Sequence, residues 1–201
     1  NAAKELQTAC QGGSAVVKQA QRKEKSEKPP ALYDLTTLQR DANRLLGFTA
    51  QQTLDYLQNL YEKKLCTYPR TDSRYLTSDM AEGLPVLVNL TANAMPFRKG
   101  IGITCNPEAV INDKKVTDHH AVIPTRNLRD ADLSALPVGE KAVLELVCLR
   151  LLCAVAEPHL YEETAATLVC AGQEFAAKGK TIQRPGWRRL DAAYHAGLKN
   201  A

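Results

Sequence analysis

Thr36-Thr37-Leu38-Gln39-Arg40-Asp41-Ala42-Asn43-Arg44-Leu45-Leu46-Gly47-Phe48-Thr49-Ala50-Gln51-Gln52 carries two helix starts and one helix stop. Thr36-x-x-Gln39 and Thr49-x-x-Gln52 both fit a capping box, in which the two side chains reciprocally satisfy amides at a helix end. The first helix places Leu38, Ala42, Leu45 and Leu46 on one face and stops at Gly47, where glycine can close the last turn. The second places Leu54, Leu57, Leu60 and Tyr61 on one face and runs out near Lys64. A helical hairpin packed through these faces commits the middle of the chain to helix.

Directly after that rigid support comes Thr67-Tyr68-Pro69-Arg70-Thr71-Asp72-Ser73, which sets a phenol, a guanidinium and a carboxylate in one short segment. The combination suits attack on a phosphodiester. A tyrosine hydroxyl, with an ordinary pKa of about 10, is a poor nucleophile at neutral pH and needs a nearby cation to favour its ionised form. Arg70 is the local cation. In an extended segment it returns to the face of Tyr68, and a planar guanidinium can grip a phosphate through two hydrogen bonds. Pro69 discourages helix at Tyr68. The same residues are also ordinary loop vocabulary, with Asp72 or Ser73 able to cap a following helix.

Outward toward the N-terminus, residues 2 to 10 read as a short helix ended by Gly12-Gly13. Ala15 to Lys23 then reads as a strand entering a charged run, which Pro29-Pro30 stops. Lys18, Arg22, Lys23, Lys25 and Lys28, diluted by Glu24 and Glu27, can touch a phosphate backbone or simply keep a strand edge solvated. Toward the C-terminus, Thr77 or Ser78 can cap a helical segment that Gly83-Leu84-Pro85 interrupts before helix resumes to about Asn93. Phe97 to Asp118 lacks periodicity. Val138 to Val155, with Leu144, Val147, Leu151, Leu152 and Val155 in step, is an amphipathic helix closed by Pro158. Thr164 to Ala171 and its neighbours read as short strands separated by Gly172 and Gly179.

Strand-like segments at both ends can pair with each other. The expected fold class is therefore α+β: a mainly helical domain inserted between β segments, with residues 1–30 as a partial β segment, 31–135 as the helical domain and 136–201 as a helix plus β segment.

A chain of 201 residues with 44% hydrophobic content can bury a core, and its net charge of +4 is compatible with, but does not demand, a polyanionic partner. Six cysteines show no Cys-x-x-Cys pair and lie mostly in apolar stretches. They read as reduced core residues of a reducing compartment, so neither a disulfide framework nor a zinc site is expected. No apolar run is long enough for a membrane span and no signal-peptide pattern opens the chain, so a cytoplasmic protein is expected. The start at Asn1 and the end at Lys199-Asn200-Ala201 read as a piece of something longer.

Asp118-His119-His120-Ala121-Val122-Ile123-Pro124-Thr125 forms a second polar constellation before an apolar run. Imidazole can hydrogen-bond a phosphate oxygen or move a proton near neutral pH. Adjacent histidines point in different directions, so the pair does not read as a metal site. Contiguous histidines lack the intervening residue of the relaxase type, and Tyr68 precedes His119 with no His-x-x-Arg element, unlike the tyrosine recombinases. Asp130-Ala131-Asp132 reads as loop and cap, having no third acid in register.

Taken together, Leu38 to Asn43, Gln58-Asn59-Leu60-Tyr61-Glu62, Thr67 to Ser73 and His119 to Thr125 resemble, in order and spacing, the central region of the type IA DNA topoisomerases. The resemblance covers nearly the whole chain, and the Phe175 to Trp187 stretch is similar to the arch-forming β domain of that family. Pro69 after the tyrosine, and His-His-Ala-Val-Ile-Pro where the topoisomerase I branch typically has His-Glu-Ala-Ile-Arg-Pro, resemble the topoisomerase III branch. The resemblance implies that Tyr68 is the nucleophile that links to the 5′ phosphate of a transiently broken single strand, so that resealing needs no ATP. It makes Arg70 the residue that positions and neutralises the phosphate, and His119 the one that contacts the phosphate region. Asp72, Thr67, Thr71, Gln58 and His120 are its supporting positions.

The family also uses an acidic, magnesium-binding Toprim domain, whose Glu plus Asp-x-Asp-x-Glu set has no match in this sequence. Mg2+ is therefore expected for the whole enzyme and not for these residues, with the Toprim and remaining domains as partners in cis and single-stranded DNA as substrate. One arginine and one histidine are thin provision for the charge that phosphoryl transfer builds, so the chain alone is expected to be inactive. The competing reading is a non-catalytic single-stranded DNA-binding or architectural module on the same scaffold.

Overall fold

A computed structural model of the chain describes residues 2–199. In order these form α1 (Ala2–Cys10), β1 (Val16–Glu27), α2 (Leu35–Leu46), α3 (Ala50–Glu62), α4 (Leu84–Ala94), α5 (Val138–Ala154), β2 (His159–Cys170), β3 (Gln173–Arg184) and α6 (Arg188–Lys199), with short 3-10 turns between α3 and α5. Two compact units result. One comprises the chain up to Glu27 with Pro158–Pro185, the other Lys28–Glu157 with the chain from Gly186 on. The α+β reading stands at that coarse level, but the break expected at residue 135 does not: α5 and α6 both belong to the helical unit.

In the first unit, β1, β2 and β3 make an antiparallel sheet in that order, with Lys23 opposite Glu163 and Glu163 opposite Lys180. The two ends of the sequence do pair, as their strand patterns require. Each strand runs twelve residues, longer than the short segments expected, and Gly179 lies inside β3 rather than ending it. The β2–β3 turn is Ala171-Gly172, both with positive φ, where glycine carries no Cβ to clash.

In the helical unit, α2 begins earlier than its threonine pattern indicates. Asp34 is the N-cap, accepting from the Thr37 amide at 2.6 Å while Thr37 Oγ1 accepts from the Asp34 amide at 3.2 Å. Gln39, freed from that role, donates to the Ala50 carbonyl at 2.9 Å and ties the two helices of the hairpin together. The Thr49–Gln52 box forms as read, and Gly47 closes α2 at φ 72°. Thr77 makes no side-chain cap, and only a 3-10 turn follows it.

The larger correction concerns α5. It is not amphipathic: Val143, Leu144, Leu146, Val147, Leu149, Leu151 and Leu152 go round the helix and all are buried. Contacts with α2, α3, α4 and α6 on successive faces explain why an all-round apolar helix is stable here. Each fully buried leucine contributes about 1.5–3 kcal/mol. At its start, Gly139 lets Tyr56 of α3 come so close that a Cβ there would stand 2.4 Å from the ring. Next to it the buried Glu140 accepts from Asn59 Nδ2 at 3.0 Å and pairs with Lys63, both at the end of α3.

Candidate functional site

The chain leaves α3 through Lys64, whose φ of 60° reverses its direction. The Lys64 carbonyl accepts from Thr125 Oγ1 and from Asn127 Nδ2 at 3.1 Å, so a costly backbone conformation is held from outside. Beyond it, Leu65 to Thr67 runs antiparallel to Ile123–Thr125: the Thr67 amide donates to the Ile123 carbonyl at 3.0 Å and the Thr125 amide to the Leu65 carbonyl at 2.9 Å. On its other side the same His-containing stretch pairs Val122 with Tyr33, amide to carbonyl at 2.8 Å. The apolar run Ala121-Val122-Ile123-Pro124 is thus buried because it is the middle of three short segments.

Threonine side chains complete the stitching. Thr67 Oγ1 donates to the Ala121 carbonyl at 3.1 Å and accepts from the Ile123 amide at 3.0 Å. Thr71, buried, donates to the His119 carbonyl at 2.8 Å and accepts from the Ser73 amide at 3.1 Å. Ser73 Oγ reaches the Lys115 carbonyl at 2.8 Å instead of capping a helix. The Thr71 carbonyl accepts at 3.1 Å from the amide of Leu35, the first residue of α2, which has no acceptor inside its own helix. The tyrosine segment is therefore fixed at both its threonines.

Between those anchors the Tyr68 ring is half-buried. It lies against His119, centroids 4.2 Å apart and planes 36° apart, and receives the edge of Tyr61 at 5.5 Å and 84°. Its hydroxyl makes no hydrogen bond within the chain among the described residues. Arg70 and Asp72 are exposed, and neither makes a hydrogen bond or ion pair with a protein group among those residues. Arg70 is thus a cation with no counter-charge bound to it among the described residues. His120 donates from Nδ1 to the Ala121 carbonyl at 2.8 Å, the acceptor it shares with Thr67. Gln58 turns along α3 to Glu62 at 3.0 Å and is not joined to the tyrosine segment by any hydrogen bond.

Tyr61 is the site residue that sequence reasoning assigned wrongly. Read as the end of the core stripe of α3, it is 39% exposed and forms a wall beside Tyr68. Its signal was available: Leu57 and Leu60 already complete that stripe, and the last turn faces solvent.

Among the described residues no group of three or more His, Cys, Asp or Glu side chains could hold a metal ion. Asp72 stands apart, and Asp132 is engaged by Ser134 through its amide at 2.9 Å and its hydroxyl at 2.5 Å. No described helix is long and apolar enough to cross a membrane.

Residues 1–200 match the family model for DNA topoisomerase, and the chain belongs to that family. It is 40% identical over 194 residues to DNA topoisomerase 3 of Bacillus licheniformis, covering 92% of this chain and 26% of that protein. It is 42% identical over 188 residues to DNA topoisomerase 3 of Bacillus subtilis, covering 90% of this chain and 25% of that protein. The chain spans about a quarter of the length of these curated relatives. Its fold also matches full-length topoisomerase I from Thermotoga maritima with a TM-score of 0.70 at 24% identity, over 94% of this chain and 31% of that one. The topoisomerase III character read from the Pro69 and His119–Pro124 motifs agrees with the names of the two Bacillus relatives.

Proposed function

We propose that this chain carries the nucleophilic half of a type IA topoisomerase active site, acting on single-stranded DNA. Tyr68 Oη attacks a backbone phosphorus. The new phosphotyrosine bond forms on the 5′ side as the bond to the 3′ oxygen breaks, and that oxygen leaves as a hydroxyl after taking up the proton the phenol gave up. Strand passage precedes the reverse attack, in which the 3′ hydroxyl displaces Tyr68 and no ATP is consumed. Arg70 holds the phosphate by its guanidinium fork, and His119 orients the phenol through the stacked rings. Thr67 and Thr71 position the segment, while Asp72 and His120 complete its polar surroundings.

One observation carries the reading: the ring of a tyrosine whose hydroxyl makes no hydrogen bond among the described residues lies against a histidine ring, two positions before an arginine that has no partner among those residues. The magnesium and most of the positive field that the phosphoryl group needs would come from an acidic domain outside this chain, so the chain alone is expected to form no adduct. The test incubates labelled single-stranded DNA and magnesium with this chain, with the chain fused to a Toprim domain, and with its Tyr68→Phe variant in that fusion. A covalent adduct should appear with the fusion only. An adduct with the Tyr68→Phe fusion would remove Tyr68 from the chemistry. Salt-dependent binding without any adduct, unchanged in the variant, would instead favour a non-catalytic DNA-binding module.

A further inference from the structure

On the helical unit, a pocket of about 400 Å³ opens between α2, α5 and α6, and five arginines line it: Arg40, Arg44, Arg74, Arg150 and Arg188. Only two carboxylates, Asp41 and Asp191, face the same space. Part of this charge is structural. Asp41 binds Arg44 at 2.7 Å, pairs with Arg150 and accepts from the Tyr33 hydroxyl at 2.8 Å, while the Arg150 guanidinium lies over the Tyr33 ring at 4.0 Å. Asp191 faces His195 one turn along α6 at 3.5 Å.

Arg188 lies over the Trp187 ring at 4.7 Å, and Arg40 and Arg74 are the two guanidiniums that remain outside these contacts. Arg40 makes no hydrogen bond or ion pair within the chain among the described residues. Arg74 donates through Nε to the Leu32 carbonyl at 3.2 Å, which orients its plane, and among the described residues neither terminal nitrogen has a hydrogen-bond partner. A pre-oriented guanidinium fork beside a second one, in a pocket with excess positive charge, matches the oxygens of a phosphate. Neutral or cationic ligands gain nothing from it. Arg74 follows Arg70 in the same segment, four residues that span at most about 14 Å, and the Thr71 carbonyl holds the first amide of α2, the helix that carries Arg40.

We propose that this pocket is a second phosphate subsite, in which Arg40 and Arg74 hold a backbone phosphate of the same single strand whose neighbouring phosphate reaches Tyr68. It rests on the reading that the chain acts on DNA. The pocket contains its own reporter, because Trp187 lines it and is the chain's one tryptophan.

The test titrates the chain with a short fluorescent oligothymidylate, and separately with pyrophosphate, following anisotropy and Trp187 emission. The oligonucleotide should give a saturable Trp187 change, and Arg40→Gln and Arg74→Gln should each weaken binding about tenfold. Arg129→Gln, outside the pocket, should bind as the parent does, and circular dichroism with thermal melts shows that each variant is folded. Oligonucleotide binding with a silent Trp187 and unchanged affinity in both arginine variants would overturn the subsite and leave the DNA reading intact. Pyrophosphate saturating the Trp187 signal while no oligonucleotide binds would overturn the strand as the phosphate source, and with it the DNA reading itself.

Discussion

His119 presents its ring to Tyr68 at 4.2 Å between centroids, although the two residues are fifty-one positions apart in sequence. What joins them is backbone: the Thr67 amide on Ile123 and the Thr71 hydroxyl on the carbonyl of His119 itself. Because His119 is exposed and makes no hydrogen bond through its ring, His119→Ala should change stability by no more than about 0.5 kcal/mol. In a fusion competent for cleavage, the same change should slow adduct formation by about 10²-fold or more. Single-turnover cleavage alongside a urea melt separates the two, and a large stability loss with normal cleavage would reduce His119 to packing.

Thr71 makes the opposite prediction. It is buried, and its hydroxyl both donates to His119 and accepts from Ser73. Thr71→Ala leaves a carbonyl and an amide without that partner and should cost about 1–3 kcal/mol, whereas Thr71→Ser should restore most of it. Urea denaturation of both variants checks the pair. Equal losses would mean that the methyl group, not the hydroxyl, matters.

At Gly139 the usual helix rule reverses. Glycine to alanine inside a helix ordinarily gains up to about 1 kcal/mol, but a Cβ here would meet Tyr56 at 2.4 Å. Gly139→Ala should destabilise by about 1–3 kcal/mol through overpacking, and combining it with Tyr56→Ala should remove most of that penalty. Thermal melts of the two single variants and the double variant form the cycle.

Burial on every face of α5 predicts that its leucines behave alike wherever they point. Leu144→Ala and Leu146→Ala, two positions apart and so on opposite faces of one helix and both essentially inaccessible, should each cost about 2–5 kcal/mol. A small loss at either one, by chemical denaturation, would mean that its side of α5 is not packed.

Sequence reading succeeded where structure is local. The Thr49–Gln52 box and the Gly47 stop follow from residues close together in the chain. It failed where tertiary contacts choose between equal local options. Thr36 and Asp34 can both cap α2, and Asp34 wins with Thr37 as its partner while the Thr71 carbonyl takes the first amide and Ala50 takes Gln39. α5 was read as one apolar stripe because its further buried faces acquire meaning only from four neighbouring helices. α6 went unread: its spacing of Leu190, Tyr194 and Leu198 is a two-turn signal directly after a strand. The arginine pocket draws residues from α2, the tyrosine segment, α5 and α6, so no window of sequence contains it.

Asp41 lines that pocket, and its titration gives a pH dependence with a definite sign. Desolvation raises its pKa, but hydrogen bonds from Arg44 and Tyr33 and the charge of Arg150 outweigh that, and the net shift is downward. A carboxylate with a depressed folded-state pKa stabilises the fold above its unfolded value, about 3.9, and that stability is lost as pH falls through the lower folded value. Melting temperature should therefore drop on acidification below about pH 4 partly through this one group. Asp41→Asn should lower stability at neutral pH, because Arg150 is left partly buried without its carboxylate, and should flatten the acid limb. Thermal melts from neutral to acid pH decide the matter: an acid limb of unchanged steepness in the Asn variant would mean that other carboxylates set it.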